Sequence, residues 1–247
     1  MKKIVKKPED TNYELINRYV LFFGLVLVAV AFAIKDLHII WFTVLISVGC
    51  SIIASAIVIY LTSRYNIKKA ATKAIIDRWG LVEIYETRGI MNATCDERLE
   101  IMTSSLDIIA FGLKSLRDST KSKLIEEKVK NGVKIRILSM NPEGNFVGYR
   151  EKEEGDAPDN IKKSIINLAE WVEQLKRIAP DKSNVELKYY DFMTEDFYFC
   201  IDGKYLFTGP YLHGIGSQQT ISYEYKQGEM LKFYIGYFND LWESIKL

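Results

Sequence analysis

The stretch "LDIIAFGLKSLRDSTKSKLIEEKVKNGVKIRILSMNPE" (Leu106–Glu143) contains the pattern that decides the fold. Its apolar run Leu106–Phe111 predicts a buried strand, the charged segment Ser119–Asn131 predicts an amphipathic helix, and Val133–Met140 predicts a second strand. Gly132 follows the helix, as expected of a residue that closes a helix in the left-handed conformation. A strand, a helix and a strand within about 35 residues indicate a parallel βαβ unit, so we expect an α/β domain.

Further elements are expected on both sides of this unit. Downstream, periodicity predicts three strands and two helices: Val185–Tyr190, Phe197–Ile201, Tyr205–Thr208, Asn160–Ile178 and Met230–Lys246. Asp202-Gly203 is a type I′ turn signal, which makes Phe197–Thr208 a hairpin. Residues 141–159 are rich in Gly, Pro and charge and are expected to form a long polar loop. Residues 81–105 are expected to form one or two helices, with Asp96–Glu100 an exposed amphipathic piece.

Two apolar runs precede the α/β part. Tyr19–Ile34 is an uncharged run of 16 residues and Ile39–Leu61 is one of 23, separated by a polar turn. A spanning helix needs roughly 20 apolar residues, so the second run suffices, and the first is extended when Arg18 snorkels toward the headgroups. We therefore expect a transmembrane helical hairpin over residues 18–63. A signal peptide for the first run and buried core helices for both are the competing interpretations.

Positive charge flanks both ends of the predicted hairpin. Several lysines precede the first run, and Arg64, Lys68 and Lys69 follow the second, which by the positive-inside rule predicts that both ends are cytoplasmic. A helical stalk is expected after the second span, ending at Gly80. The predicted organisation is a cytosolic N-terminal segment over residues 1–17, the hairpin over 18–63, a stalk and linker over 64–104, and a cytosolic α/β domain over 105–247.

Net charge and cysteine usage argue against two classes of site. Six of the 33 Lys and Arg residues and four of the 32 acidic residues precede residue 64, so residues 64–247 carry 27 basic and 28 acidic side chains. This balance gives no basic footprint for duplex nucleic acid, although a small anion in a local basic pocket stays open. The two histidines, His38 and His213, are far apart in sequence, and Cys95 and Cys200 lack zinc-site spacing. We expect no cofactor and no metal.

A second informative stretch is "EDFYFCIDGKYLFTGPY" (Glu195–Tyr211). Together with the first stretch it resembles one half of a phospholipase D-like domain, whose signature hairpin reads His-x-Lys-(x)4-Asp-Gly. The resemblance spans about residues 105–247 and implies a mixed sheet flanked by helices, with a cleft shaped for phosphodiesters. When Asp202-Gly203 is set on the family's Asp-Gly, the His position falls on Glu195 and the Lys position on Phe197. The resemblance thus implies a catalytically inactive member, because family chemistry needs an imidazole nucleophile and a second imidazole as acid.

The residues expected to bind a ligand follow the strands or lie in the Gly-rich loop after the hairpin. Open α/β sheets bind ligands beyond the carboxyl ends of their strands, where cationic side chains bind phosphate. The candidates are Lys114, Arg117, Asn141, Glu195, Tyr211, His213 and Ser217. For Lys114 and Arg117 the alternative is a solvated helix start. Tyr211 is expected either to pack in the core or to stack on a base, and His213 either to bind the ligand or to be an ordinary loop residue.

Small polar residues recur along the second apolar run. Ser47, Ser51 and Ser55 are four residues apart and therefore share one face of a helix. Such a face either packs against another helix or forms a seam in an oligomeric pore.

The whole layout resembles bacterial antiphage effectors, in which a nucleotide-responsive domain is fused to a hairpin that permeabilises the inner membrane. The resemblance implies a homo-oligomer of the bacterial inner membrane that senses a nucleotide or short oligonucleotide and controls permeability of the lipid bilayer. Two alternatives stay open. One is a membrane-tethered phosphodiesterase-type enzyme with His213 as nucleophile and Glu195 as acid/base, and the other is an inert membrane scaffold for a protein partner.

Overall fold

The computed structural model describes residues 10–36, 39–155 and 157–245. The chain divides into two compact units, Met1–Ala74 and Ile75–Leu247. The first unit contains the predicted hairpin and the second contains the predicted α/β domain. His38, which lies between the two apolar runs in the sequence, and the lysines of the N-terminal segment are outside the described residues.

Two long apolar helices form the first unit. They are α1 (Asp10–Ala33) and α2 (Ile39–Trp79), and α2 continues beyond the unit boundary. Leu15–Ala33 and Ile39–Ser63 are long and apolar enough to cross a membrane, and only 11% of the tested window in each is buried inside the protein. Such exposure does not fit core helices, because apolar surface left in water forgoes about 25 cal/mol per Å².

The two apolar helices contact each other through glycines. A Cβ added to Gly24 of α1 would approach Ile53 Cγ1 to 2.9 Å, and one added to Gly49 of α2 would approach Val28 Cγ2 to 2.8 Å. Residues without a Cβ therefore allow the close approach, as is common between membrane helices. Ser47, Ser51 and Ser55 are exposed on α2. The Gly24–Gly49 contact leaves this serine face uncovered.

A seven-stranded mixed sheet forms the second unit. Its strands are β1 (Leu81–Tyr85), β2 (Ser105–Ile109), β3 (Lys134–Met140), β4 (Val185–Tyr190), β5 (Asp196–Ile201), β6 (Tyr205–Pro210) and β7 (Ser222–Lys226). Their order in the sheet is β1-β7-β6-β5-β2-β3-β4. The pairs β2–β3 and β3–β4 are parallel, whereas the other four pairs are antiparallel. The expected mixed α/β sheet flanked by helices is thus present.

Helices cover both faces of the sheet. They are α3 (Arg88–Glu100), α4 (Ser119–Lys130), α5 (Asn145–Glu154), α6 (Asn160–Ile178) and α7 (Glu229–Ser244), and a 3-10 turn spans Lys182–Asn184. Successive strand residues point to opposite faces. Phe197 and Phe199 of β5 therefore pack with α3, α4 and α6, whereas Tyr198 and Cys200 pack with α7. This alternation gives two separate apolar cores.

Several local predictions are confirmed. The βαβ unit is present, with Ile108 opposite Ile137 in parallel register. Asp202 and Gly203 have φ values of 55° and 61°, which are the two positive values that a type I′ turn requires. Gly132 follows α4 with a φ of 86°, and Gly80 ends α2 with a φ of 74°.

Other local predictions are wrong. Residues 81–105 are not helical throughout, because Leu81–Tyr85 is a strand that pairs with β7. Leu99, within the segment expected to be exposed, is 2% exposed in the core. The predicted loop over residues 141–159 contains α5, in which Arg150 pairs with acids three and four positions later. Because β1 and α3 join the sheet and its core, residues 81–104 belong to the second unit rather than to a linker.

Candidate functional site

A cavity of about 540 Å³ lies beyond the carboxyl end of β2. The loop after β2 contributes Ala110 to Ser115, and the β6–β7 loop contributes Tyr211, Ser217 and Gln218. Helix termini supply the remaining lining residues, which are Arg88, Asp118, Glu154, Asn160, Ile161 and Ser164. This location is the one expected for a ligand on an open α/β sheet. We call it the basic cavity, because Arg88 and Lys114 are among its lining residues.

Three of the sequence candidates line the basic cavity. They are Lys114, Tyr211 and Ser217. Lys114 is exposed, so its ammonium group is free to reach a ligand at the rim. The structure therefore brings together one cation, one phenol and one hydroxyl from segments that are about 100 residues apart in sequence.

Arg117 supports the cavity wall instead of pointing at a ligand. Its Nε donates to Gly112 O at 2.9 Å, and one Nη donates to Ser164 Oγ at 3.1 Å. Partial burial lowers the pKa of this guanidinium. A Cβ on Gly112 would overlap the Ser164 side chain, so glycine is required where the loop meets α6. Arg117 thus fixes two lining residues to each other.

The remaining three candidates lie away from the basic cavity. Asn141 closes a turn after β3, where its Oδ1 accepts from Glu143 N at 3.1 Å. Glu195 lines a different cavity. His213 has a side chain that is 79% exposed, and its Nδ1 lies 3.1 Å from Glu153 Oε1. Their assignment as ligand residues stays a prediction that this cavity does not support.

Arg88 at the start of α3 was missed by the sequence reasoning. Its guanidinium carbon lies 3.9 Å from the centroid of the Phe197 ring, within the range of a cation–π contact. Phe197 is the residue that the resemblance noted from the sequence sets on the motif's lysine. A cation from a distant helix lies over its ring. Arg88 falls within the stalk and linker predicted over residues 64–104, so no local signal points to it as a ligand residue.

Tyr211 contributes a buried hydroxyl. Its ring stacks on Phe111 at 4.6 Å and also contacts the guanidinium of Arg150 at 4.8 Å. The Arg88 guanidinium interacts with its hydroxyl oxygen, but among the described residues no acceptor for the hydroxyl proton is found. Burial raises the pKa of Tyr211, although the nearby Arg88 acts in the opposite direction, so the hydroxyl is protonated at neutral pH. It is a neutral donor without a partner, beside a cation.

The acidic lining residues already have partners. Glu154 Oε1 accepts from Arg150 Nη2 at 2.7 Å, and Asp118 caps α4 by accepting from Thr120 N at 3.3 Å. Over residues 10–36, 39–155 and 157–245, neither Arg88 nor Lys114 forms an ion pair. The unpaired charges at this cavity are therefore positive.

Glu153 attaches the Gly-rich loop to α5. Its side chain contacts both His213 and Arg150, and its backbone oxygen accepts from Gly214 N at 3.0 Å. Burial alone would raise the pKa of Glu153, but hydrogen bonds from His213 and Arg150 lower it below its usual value. No group of three or more His, Cys, Asp or Glu that could hold a metal is found in the part of the chain that the structure describes.

Comparisons with solved structures give distant likenesses. TrmBL2, described as an archaeal chromatin protein with a novel mode of DNA binding, matches 80% of this chain and 69% of its own at 16% identity and a TM-score of 0.43. Nuc from Salmonella typhimurium, a phospholipase D family member, matches 63% of this chain and 88% of its own at 12% identity and a TM-score of 0.40. NucT from Helicobacter pylori matches 66% of this chain and 96% of its own at 12% identity and a TM-score of 0.40.

No family model matches the sequence, and neither does any curated protein. At TM-scores below 0.5, the three likenesses carry no argument about chemistry.

Proposed function

We propose that this chain is a membrane-anchored sensor whose α/β domain binds a phosphate-bearing anion in the basic cavity. The observation that carries the proposal is the presence of two cations without ion pairs beside a buried hydroxyl whose proton has no acceptor among the described residues. Arg88 and Lys114 are cations without ion pairs among the described residues, and the buried Tyr211 hydroxyl lies beside Arg88. A buried donor without a partner costs about 1–3 kcal/mol, and a ligand oxygen would supply the partner.

Phosphate suits this cavity better than a carboxylate or a neutral ligand. A guanidinium and an ammonium on neighbouring walls match the several oxygens of a phosphate group. The hydroxyls of Ser115, Ser164 and Ser217 add neutral donors. The cavity volume of about 540 Å³ lies within the range of small-molecule sites and is large enough for a nucleotide. The near-neutral charge of residues 64–247 argues against duplex nucleic acid, so we propose a nucleotide or a short oligonucleotide.

Sensing fits the residues better than phosphodiester hydrolysis. Glu195 and Phe197 stand on the His and Lys positions of the motif that the hairpin resembles. Phe197 provides no proton-transfer group, and Glu195 lines a different cavity. His213, the residue of the enzymatic alternative, pairs with Glu153 and is outside the lining of the basic cavity. We therefore propose that the domain is a pseudoenzyme.

The proposed output is at the membrane. Two helices with the length and apolarity of membrane spans precede the domain, and their serine face is left uncovered by the Gly24–Gly49 contact. We propose that hairpins of several copies associate through Ser47, Ser51 and Ser55 and control permeability of a bacterial inner membrane, with the domain in the cytoplasm. By analogy of layout, antiphage defence is the proposed setting.

Calorimetric titration of the full chain in a maltoside detergent tests the ligand. The probes are pyrophosphate, a mononucleotide and a dinucleotide. Hydrogen bonds to charged groups contribute about 1.5–3 kcal/mol, so Arg88→Gln should weaken binding about 10- to 100-fold. Lys204→Gln, which changes an exposed lysine in the hairpin turn, is the matched control and should leave binding unchanged. Failure of all three probes to bind would contradict the sensor and favour a scaffold.

Two further measurements separate the rival functions. An enzyme with His213 as nucleophile would cleave an activated phosphodiester and lose turnover outright in His213→Ala. The sensor predicts no turnover in either protein. For the output, Ser51→Leu should reduce leakage of reconstituted vesicles while the oligomer still assembles. Unchanged leakage with a normal oligomer would contradict the proposed serine seam without affecting the ligand site.

A further inference from the structure

A second cavity, of about 370 Å³, has the opposite character from the basic cavity. It lies between the segment leading into β5 and the first turns of α7. Five aromatic residues form its walls: Phe192, Tyr198, Phe233, Tyr234 and Tyr237. Glu195 and Asp196 supply the charge, and no Lys, Arg or His lines it. We call it the acidic cavity.

The two carboxylates lack cationic partners. Tyr234 donates its hydroxyl to Asp196 Oδ2 at 2.8 Å, which fixes that carboxylate against the aromatic wall. Neither Glu195 nor Asp196 forms an ion pair with any residue that the structure describes. Asp196 is partly buried, whereas Glu195 is exposed. A partly buried acid normally has a cation nearby, because the interior screens its charge poorly. For Asp196 such a cation is missing from the described part of the chain.

The C-terminal half of α7 indicates which kind of group would suit the acidic cavity. Phe238 and Trp242 continue the aromatic face of this helix, and both have cations over their rings. Arg136 lies 4.8 Å from the Phe238 centroid, and Lys188 lies 4.7 Å from the Trp242 centroid. Arg136 is also held by the carboxylate of Asp107 at 2.8 Å. On this face of α7, each aromatic ring therefore has a cation over it, and one of these cations is paired with a carboxylate.

The same arrangement at the acidic cavity lacks only its cation. Over the described residues no Lys or Arg lies over Phe233, Tyr234 or Tyr237. Phe233 is 65% exposed and Tyr237 is 43% exposed, so both rings are accessible from solvent. Aromatic faces beside a carboxylate are the usual way in which proteins bind alkylammonium groups.

We propose that the acidic cavity is a binding site for an organic cation, specifically an alkylammonium group. The rings of Phe233 and Tyr237 contact the alkyl substituents, and the carboxylates of Glu195 and Asp196 compensate the charge. The ammonium group belongs either to a free small amine or to a lipid headgroup. This site is independent of the proposed phosphate ligand, since no residue lines both cavities.

Choline is the first probe, titrated against the full chain in maltoside detergent, which itself has no ammonium group. Its neutral isostere 3,3-dimethyl-1-butanol has the same shape without the charge. We expect choline to bind and the isostere to bind at least about tenfold more weakly, because only the charged compound gains the cation–π attraction of the rings and the attraction of the carboxylates. Equal binding of both compounds, or no binding of choline, would overturn the proposal.

Variants assign any binding to this cavity. Glu195→Gln and Asp196→Asn keep the size of each side chain, and asparagine can still accept from Tyr234. Each should weaken choline binding about fivefold or more, and Phe233→Leu should do the same. Glu243→Gln, an exposed acid near the end of α7 and outside the cavity, is the matched control. Unchanged choline affinity in all three cavity variants would overturn the assignment even where choline binds.

Vesicles distinguish the two sources of the ammonium group. With the chain reconstituted in phosphatidylglycerol vesicles, adding phosphatidylcholine should compete with free choline when a lipid headgroup enters the cavity. Competition that disappears in Asp196→Asn supports the lipid source. Choline affinity that is independent of phosphatidylcholine supports a free amine. Both results retain the alkylammonium site.

Discussion

The basic cavity and the acidic cavity lie at the end of the same strand but differ in the charges that line them. Strand β2 ends at both, with Ile109 lining the acidic cavity and Ala110 lining the basic one. At the basic cavity, the acids are neutralised by Arg150 or cap a helix, which leaves cations without partners. At the acidic cavity, the carboxylates have only a tyrosine donor. The basic cavity is lined by two cations and two acids, so the pairing of charges determines which sign is left over, whereas the only described charged residues that line the acidic cavity are acids.

The largest expected effect is a reversal of charge in the basic cavity. Arg88→Glu replaces an unpaired guanidinium with a carboxylate, so we expect pyrophosphate affinity to fall by about 100-fold or more. Choline affinity should stay within about twofold, because Arg88 does not line the acidic cavity. Paired titrations of one protein sample with both probes measure the contrast. An equal loss for both probes would mean that the variant disturbs the fold and that the two cavities are not independent.

The next effect concerns the turn at Asp202-Gly203, which joins β5 and β6. The Asp202 carboxylate accepts from Ser104 N at 2.7 Å, Ser105 N at 3.0 Å and Thr103 N at 3.0 Å. Asp202→Asn tolerates the positive φ but loses the charge and one acceptor. We expect a loss of about 2 kcal/mol in the free energy of unfolding, measured at neutral pH. Neither probe should bind differently to the folded variant, and a selective loss at one cavity would contradict this expectation.

The same variant gives a pH dependence with a definite sign. Partial burial alone would raise the pKa of Asp202, but hydrogen bonds from Ser105, Ser104 and Thr103 lower it to about 2. The unfolded value is about 3.9, so the carboxylate stabilises the fold fully above about pH 5. This contribution is lost as the pH falls from about 4 to about 2. Thermal unfolding of both proteins should therefore converge in that window, and a constant difference down to pH 2 would exclude the charge as the cause.

A smaller effect distinguishes ligand binding from stability at Tyr211. Tyr211→Phe keeps the stacked ring but removes a buried hydroxyl without a partner, so the unliganded protein should gain about 1 kcal/mol. This gain corresponds to a rise in Tm of about 2–4 °C for a domain of this size. Pyrophosphate affinity should fall about fivefold in the same variant. A lower Tm would show that the hydroxyl already has a partner and would weaken the assigned anion site.

The smallest effect separates the two cations of the basic cavity. Lys114 is exposed, whereas Arg88 is half-buried over Phe197. Lys114→Gln should weaken pyrophosphate binding about threefold at low salt and hardly at all near 1 M salt, where screening acts over about 3 Å. High salt should reduce the effect of Arg88→Gln on pyrophosphate binding much less, because Arg88 is half-buried. Titrations at two salt concentrations measure this, and identical salt dependence for the two variants would contradict the difference in burial.

Most of the fold could be predicted from local patterns. The limits of β4 and α6 agree with the sequence to the residue, because the apolar spacing of each is regular and its ends carry turn residues. β1 and β7 were missed, because each is five residues long and is stabilised mainly by pairing with strands distant in sequence. α5 was missed because Gly148 and Gly155 resemble loop residues, although Gly155 closes the helix with a φ of 68°.

The lining of the basic cavity was predicted only in part, and its use as a ligand site stays a proposal. Lys114, Tyr211 and Ser217 could be found because they follow strands, and the ends of strands are where α/β sheets bind ligands. Arg88 could not be found, since its position depends on β1 and α3 joining the sheet. Glu195 was expected beside Lys114, but it lines the acidic cavity next to the aromatic residues of α7. Arg117 has the expected charge, but its hydrogen bonds to Gly112 and Ser164 give it a supporting position.

The sequence by itself determined the two apolar helices, the βαβ unit and the type I′ turn at Asp202-Gly203. Each of these depends on residues that are near one another in the chain, through run length, periodicity or backbone preference. Only the tertiary structure decided which charges lack partners: Arg88 and Lys114 in one cavity, and Glu195 and Asp196 in the other. Charge pairing depends on contacts between distant segments, and no local pattern of residues records those contacts.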